Sequence, residues 1–404
     1  MRLRKLLAAA LVFTSVFVIA RPASADAIRD REYWINDYGF SNAWKITKGA
    51  GVKVAVIDTG IDQTHPDLIG AVVSGKDFSG LGNETGTKPV GEASYHGTMV
   101  ASLLAGRGHG SNQGQSGSNL NSSGVIGTAP EAQLLSVSMA FGDTALDTDS
   151  QVANGIRWAV DNGAKVINLS LTRNSADWPA TWDSAFLYAF EHDVVVVAAA
   201  GNRGSGTDQV GAPATIPGVL VVAGVDKNAK TSNQASTAGL TVAVSAPAED
   251  LVSAYPGADY KIWSGTSGAA PIVSGLVALV RAKFPNLDAS NVINRIIQTA
   301  TAQTSEKFSP IYGFGLINPQ RALTAEVPLV TTNPLGSLAE WVKLYRKSEP
   351  ETNTDAGQIA APISSEQVKS STGFDTTQIV PIGVYVIFGI LVIRSVARGL
   401  RRRK

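Results

Sequence analysis

The amino-acid sequence predicts a doubly wound α/β fold: a mostly parallel sheet with helices on both faces. Three observations carry that expectation. Five apolar runs, VKVAVI (52–57), AQLLSVSM (132–139), KVINLSL (165–171), VVVVAAA (194–200) and VLVVAGV (219–225), are near-continuous, as strands buried on both faces are. Helical periodicity lies between them. In 147–162, Val152, Ile156, Ala159 and Val160 share one face behind a capping Asp147 or Thr148, and ATWDSAFLYAFEHD (180–193) is a second such stretch. Finally, 26–330 is about one large domain's worth of chain, enough for a sizeable core.

In chain order, the first element is a secretory signal peptide over 1–25. Arg2, Arg4 and Lys5 precede apolar Leu6–Ala20, and ASA (Ala23–Ala25) supplies the cleavage site. The strand at 52–57 ends in Asp58–Gly60 (DTG), and YHGTMVASLLAG (95–106) reads as a helix with His96 at its start. His65, in HPDL (65–68), is expected to order the loop after the first strand. His109 lies in a Gly/Ser/Asn-rich insertion (106–124) and reads as solvated, and His192 reads as a surface helix end. The strand at 194–200 runs into Gly201–Asn202. SGTSGAAP (Ser264–Pro271) then opens a buried helix that continues through Ile272 and Val273. A lone serine at Ser267's position is ordinarily a helix cap. It is also where a nucleophile would find its developing charge stabilised.

Past the domain, 331–378 reads as a short helix and a polar tether. SLAEWVKLYRK (Ser337–Lys347) is amphipathic and is expected to pack on the domain, while 346–378 is polar and poor in aromatics. Ile379–Ile393 is apolar and uncharged. Its fifteen residues rise only about 22 Å against about 30 Å of hydrocarbon; a snorkelling Arg394 lets the helix continue to Ala397. The result is one transmembrane helix over 379–397. The basic tail, 398–404, then lies in the cytoplasm and everything before Ile379 lies outside the cell membrane.

Composition excludes several chemistries. With 34 basic and 33 acidic residues the net charge of +1 offers nothing to nucleic acid. Zero cysteines rule out disulfides, thiolate metal sites and a cysteine nucleophile. No His/Asp/Glu cluster has transition-metal spacing, so neither a catalytic metal nor a cofactor is expected.

Open α/β sheets bind ligands beyond the carboxyl ends of their strands. That rule gathers Asp58, His96, Asn202 and Ser267 at one edge. Serine needs a base to take its proton, and histidine can do so near neutral pH. The histidine needs a carboxylate to hold its tautomer. The oxyanion needs a donor such as a side-chain amide. Taken singly, each residue has a plain structural role; the set matches the whole list. DTG also marks aspartic proteases, but this chain has no second Asp-Thr/Ser-Gly, and that chemistry leaves His96 and Asn202 without roles.

VIDTGID, HGTMVA, AAAGN and SGTSGAAP, in the order Asp, His, Asn, Ser, resemble the subtilisin-like serine proteases. The resemblance spans Ala27–Ala325 and extends to HPDL, VINLSL (166–171), APATIPGVLVVAGVD (212–226) and SAP (245–247). It implies Ser267 as nucleophile, His96 as base, Asp58 as its carboxylate and Asn202 in the oxyanion hole. It further implies that Ser170, Leu171 and Thr172 pair with an extended polypeptide substrate, and that Ala199, Ala200 and Gly201 line the primary specificity pocket. A cis Ala212–Pro213 bond and a loop-bound structural calcium also belong to the resemblance, the calcium with no position in this chain.

Signal peptide, polar tether, single span and basic tail together resemble the mycosins, membrane-anchored subtilases associated with type VII secretion. So do the roughly 25 residues between Ala25 and Gly51, where most secreted subtilases carry a longer pro-domain. The expected function is that of an extracytoplasmic serine endopeptidase within such a secretion complex. A stand-alone tethered protease acting on exported proteins and a mainly structural scaffold are the alternatives. The chain departs from the mycosin pattern in lacking cysteine pairs, and it carries Gly268 where subtilases commonly have a larger residue.

Overall fold

Two short helices, α1 (Tyr33–Asp37) and α2 (Phe40–Ala43), lead into β1 (Lys53–Asp58) and β2 (Val72–Asp77). Helix α3 (His96–Ala105) precedes the antiparallel pair β3 (Arg107–His109) and β4 (Ser123–Ile126). Strand–helix alternation follows: β5 (Gln133–Ser138), α4 (Thr148–Asp161), β6 (Val166–Leu169), α5 (Ala180–Glu191), β7 (Val195–Ala199) and β8 (Leu220–Val225). After β9 (Val242–Pro247), the hairpin β10 (Leu251–Tyr255) and β11 (Asp259–Trp263) feeds α6 (Thr266–Lys283). Helices α7 (Ala289–Thr299), α8 (Pro319–Thr324) and α9 (Leu338–Tyr345) complete the domain, and β12 (Glu366–Gln367) pairs with β11.

This computed structural model describes residues 27–110, 123–141, 147–346 and 366–367. The expected signal peptide, the span over 379–397 and the basic tail lie outside the described residues, as does most of the tether. Among the described residues no helix is long and apolar enough to cross a membrane.

The main sheet has seven strands in the order β2-β5-β1-β6-β7-β8-β9, and every neighbouring pair is parallel. Strand order diverges from β1, with β5 on one side and β6 on the other, which opens a crevice beyond their carboxyl ends. All five expected strands are present. The two added ones are the sheet's edges. Strand β2 is largely solvated and carries polar Ser74, Lys76 and Asp77, so it lacks the apolar run of a central strand. Strand β9 is fully buried, but Ser245 and Pro247 interrupt its apolar pattern.

Asp147, one of the two expected caps, starts α4 by accepting the amide protons of Asp149 and Ser150. On that side of the sheet Ile57, Val137, Ile156, Trp182 and Phe186 share one buried cluster. Helix α6 is buried from Thr266 to Arg281 and packs against β6, β7 and β8. Helix α9 falls inside the expected Ser337–Lys347 segment. Its Trp341 lies 4.4 Å, centroid to centroid, from Trp178, and Arg346 reaches Asp183 at 2.8 Å just beyond it.

Candidate active site

Asp58 ends β1 and is 1 % exposed. Its Oδ1 accepts the Thr59 amide proton at 2.7 Å. Thr59 Oγ1 in turn accepts the Gly97 amide proton at 3.0 Å, which fastens the start of α3 to the DTG turn. The approach is close: a Cβ on Gly97 would fall 2.3 Å from the Gly60 carbonyl oxygen, so only glycine fits.

His96, 3 % exposed, is the first residue of α3 and places Nδ1 2.9 Å from both oxygens of Asp58. A carboxylate only accepts, so Nδ1 carries the proton and Nε2 is the lone-pair nitrogen in the neutral ring. Nε2 is buried and has no hydrogen-bond partner. The Trp263 ring meets the imidazole edge-on, with centroids 5.6 Å apart, and is itself held by a bond from Nε1 to Ser253 Oγ at 2.7 Å.

Ser267 does not cap its helix. Gly265 occupies the cap position, its φ of 155° lies where side chains are rare, and no side chain caps the helix there. Ser267 stands in the first turn instead, and its Oγ donates to the Ser170 carbonyl at 3.2 Å.

Ser170 does more than its backbone suggests. Pro271 inside α6 has no amide proton, which deprives the Ser267 carbonyl of its intrahelical donor. Ser170 Oγ supplies the missing bond at 2.8 Å. It accepts in turn from Asn168 Nδ2, whose amide oxygen accepts from Ser274 Oγ, both at 2.9 Å. Strand β6 ends at Leu169, two residues short of the expected Leu171, and this buried chain joins Ser170 to α6.

Asn202 follows β7. Its Oδ1 accepts from the Thr266 amide at 2.7 Å and from Thr266 Oγ1 at 3.0 Å. The backbone bond fixes the amide's orientation, and both protons of Nδ2 are left for another acceptor. Thr266 Oγ1 also accepts from the Gly201 amide at 3.1 Å. One threonine thus ties the end of β7 to the start of α6.

The remaining expected residues line the same edge. Ser170, Leu171 and Thr172 are buried just past β6, and Arg173 is held by its amide bond to Ala212 O at 2.7 Å. Ala199 ends β7, the Ala200 amide bonds Val222 O at 3.0 Å, and Gly201 has φ +103° with Thr207 Cγ2 2.6 Å from where a Cβ would stand. The Ala212–Pro213 peptide bond is cis. Gly268 also has a reason, since a Cβ there would meet Leu251 Cδ1 at 2.3 Å and Trp263 Cζ2 at 3.3 Å.

Sequence reasoning missed Thr266, Asn168, Ser274 and Trp263. One reading is incomplete. His109 is not simply solvated: its Nδ1 lies 2.6 Å from Oδ1 of the fully buried Asp67. Asp67 Oδ2 accepts the Val125 amide proton at 2.8 Å. His65 does order its loop, with Nδ1 accepting the Asp67 amide at 3.1 Å and Nε2 donating to Asp259 O at 3.1 Å. Among the described residues no three His, Asp or Glu side chains converge as metal ligands.

A buried His–Asp pair, a first-turn serine and an amide donor at strand ends of a parallel sheet define a serine hydrolase of the subtilisin type. The subtilase family profile matches residues 49–315, and the chain belongs to that family and is a serine endopeptidase. It is 38% identical over 278 residues to subtilisin DY of Bacillus licheniformis, covering 68% of this chain and 92% of that one. Thermitase of Thermoactinomyces vulgaris is 35% identical over 296 residues, covering 72% and 96%. Among solved structures, MycP1 with its N-terminal propeptide removed superposes with a TM-score of 0.62 at 29% identity, covering 74% of this chain and 98% of that one. MycP3 of the type VII (ESX-3) secretion system gives 0.59 at 31% identity, covering 73% and 88%.

Proposed function

We propose that Ser267 Oγ attacks the scissile carbonyl as His96 Nε2 takes its proton. Asp58 holds the imidazole tautomer and stabilises the imidazolium, and Asn202 Nδ2 donates to the tetrahedral oxyanion. His96 then passes the proton to the leaving amine, and water resolves the acyl-enzyme by the same steps in reverse order. The observation that carries the reading is the buried imidazole, held by Asp58 through Nδ1 at 2.9 Å with Nε2 left unpartnered. Ser170, Leu171 and Thr172 pair with the extended substrate, and Ala199–Gly201 line the pocket for the residue on its acyl side.

The protease is further read as a single-pass membrane protein of mycosin type, with its catalytic domain outside the cell and its tail inside, working within a type VII secretion complex. The apolar Ile379–Ile393 segment with its basic flank, and the likeness to MycP1 and MycP3, support this. Two strains test it, one lacking the protein and one carrying Ser267→Ala. Deletion is expected to block export of the secretion system's substrates, while the alanine variant keeps export and loses cleavage. Equal, complete export loss in both would make proteolysis the essential step. Normal export in both would instead favour a stand-alone tethered protease and end the secretion reading. A membrane-impermeant label applied to intact cells should react with the catalytic domain and not with the RRRK tail.

A further inference from the structure

The β10–β11 hairpin has a face that the catalytic residues use only at one end. Strand alternation places Leu251, Ser253 and Tyr255 on that face, beside their cross-strand partners Trp263, Lys261 and Asp259. At the near end Trp263 covers the His96 ring and Leu251 fills the space beside Gly268. At the far end the face is half-exposed. Tyr255 stacks there on Tyr95, the residue immediately before His96, with centroids 5.4 Å apart and planes inclined by 21°. Lys261 Nζ stands 4.8 Å over the Tyr255 ring. From Leu251 to Tyr255 the strand rises roughly 13 Å, the span of about four residues of extended peptide.

The platform is held in place. Asp62 Oδ2 accepts the Gly257 amide proton at 3.2 Å, and Asp62 Oδ1 accepts from Thr64 Oγ1 at 2.6 Å, which ties the hairpin tip to the loop after β1. Burial works against the Asp62 carboxylate, but these bonds outweigh it and hold its pKa below the ordinary value. Burial, with neighbouring Tyr255, pushes the Tyr95 hydroxyl above its usual value, as expected of a partly desolvated ring face.

Direction follows from which side each group approaches Ser267. The Ser170 carbonyl holds Ser267 Oγ from the β6 side, so substrate lying on Ser170–Thr172 arrives there. His96, which must protonate the leaving amine, stands on the hairpin side against Trp263. The peptide released with that amine therefore departs over Tyr95 and Tyr255.

Building on the serine-protease reading above, we infer that Tyr95, Tyr255 and Lys261 form a subsite for the amine-side half of the cleaved polypeptide. It selects an aromatic or large aliphatic side chain among the first few residues after the scissile bond. The exposed edges of the two stacked rings and the Lys261 stem supply the apolar surface. Asp259, 3.8 Å from Lys261 Nζ, already offsets the ammonium charge, so the rings carry the selectivity.

The test uses the purified full-length protein in detergent and peptides with one fixed acyl half, varied among Phe, Leu and Gly at the first three positions after the scissile bond. An anilide of the same acyl half has no amino acid beyond that bond and reads the catalytic centre alone, so each variant's peptide turnover is referred to its own anilide turnover. Wild type is expected to prefer Phe or Leu over Gly by roughly tenfold at one of these positions. Tyr255→Ala should collapse that ratio towards one and Tyr255→Phe should keep it. An undiminished ratio in Tyr255→Ala, or no preference in wild type, overturns the subsite. Failure of wild type to cleave the anilide would sink the protease reading instead.

Discussion

Among the described residues, two histidines hydrogen-bond a buried aspartate carboxylate, and only one of these pairs meets the requirements of the proposed base. His96 and His109 each set Nδ1 against a buried carboxylate, at 2.9 Å from Asp58 and 2.6 Å from Asp67. His96 is sealed in, Nε2 has no partner, and a serine stands in the first turn of the neighbouring helix. His109 has a side chain 38 % exposed and sits on β3, where it joins the β3–β4 arm to the HPDL loop. On the proposed mechanism, a carboxylate beside an imidazole makes a base only when the far nitrogen is kept dry and free for a hydroxyl. Otherwise the same pair is a fastener.

Mutating the two pairs should sharpen that contrast. His96→Ala is expected to cost about a millionfold in turnover, the loss known for this role in subtilisin, and Asp58→Asn roughly 10⁴-fold because it leaves the imidazole in the wrong tautomer. Peptide hydrolysis by purified variants, with folding checked by circular dichroism, measures both. Asn202→Ala should lose about 10²–10³-fold, mostly in kcat, since its donor is engaged only as the oxyanion forms. A loss confined to KM would show that Asn202 binds ground-state substrate instead.

His109→Ala should act on stability. Leaving one oxygen of buried Asp67 without this partner is expected to cost about 1–3 kcal/mol in urea unfolding, with proteolysis by the folded fraction unchanged. A large kcat loss would break the comparison, because it would give both pairs a catalytic role.

The smallest effect expected is one of pH. Burial depresses the pKa of His65, and Asp67 and the Asp259 carbonyl only partly offset it. The unfolded chain therefore binds the proton more readily than the folded one. Stability is fully present above the ordinary histidine value of about 6.5 and declines as pH falls from there towards the lower folded value. Asp77 adds to the loss at lower pH. Burial works against its carboxylate, but hydrogen bonds from Ser138, Ser79 and Gly82 outweigh that and hold its pKa below the ordinary value. In His65→Asn, whose amide oxygen can replace Nδ1 as acceptor, the fall in urea midpoint between pH 7 and 5 should shrink.

Much of this was legible in sequence because the proposed catalytic residues interrupt apolar runs. Asp58 follows VKVAVI, Asn202 follows VVVVAAA, and Ser267 opens the run into Ile272, so polarity at a strand or helix end marked each one. The supporting residues left no such mark. Thr266 matters through Asn202, 64 residues away, and the side chain of Ser170 through the Ser267 carbonyl, 97 residues away. Both are ordinary small polar residues until the fold joins them. His109 was misread for the same reason, its partner Asp67 being set by how β3 lies on the HPDL loop. The edges β2 and β9 lack the long apolar run by which central strands are found, β2 because it is solvated and β9 because Ser245 and Pro247 break it.

The central claim is that Ser267 is the hydroxyl activated by His96 and Asp58. A fluorophosphonate probe reacts with an activated serine, and peptide mapping by mass spectrometry locates the adduct. The expected result is a single adduct on Ser267 in the wild-type protein, lost in both Ser267→Ala and His96→Ala. An adduct on another serine, or undiminished labelling in His96→Ala, would contradict it.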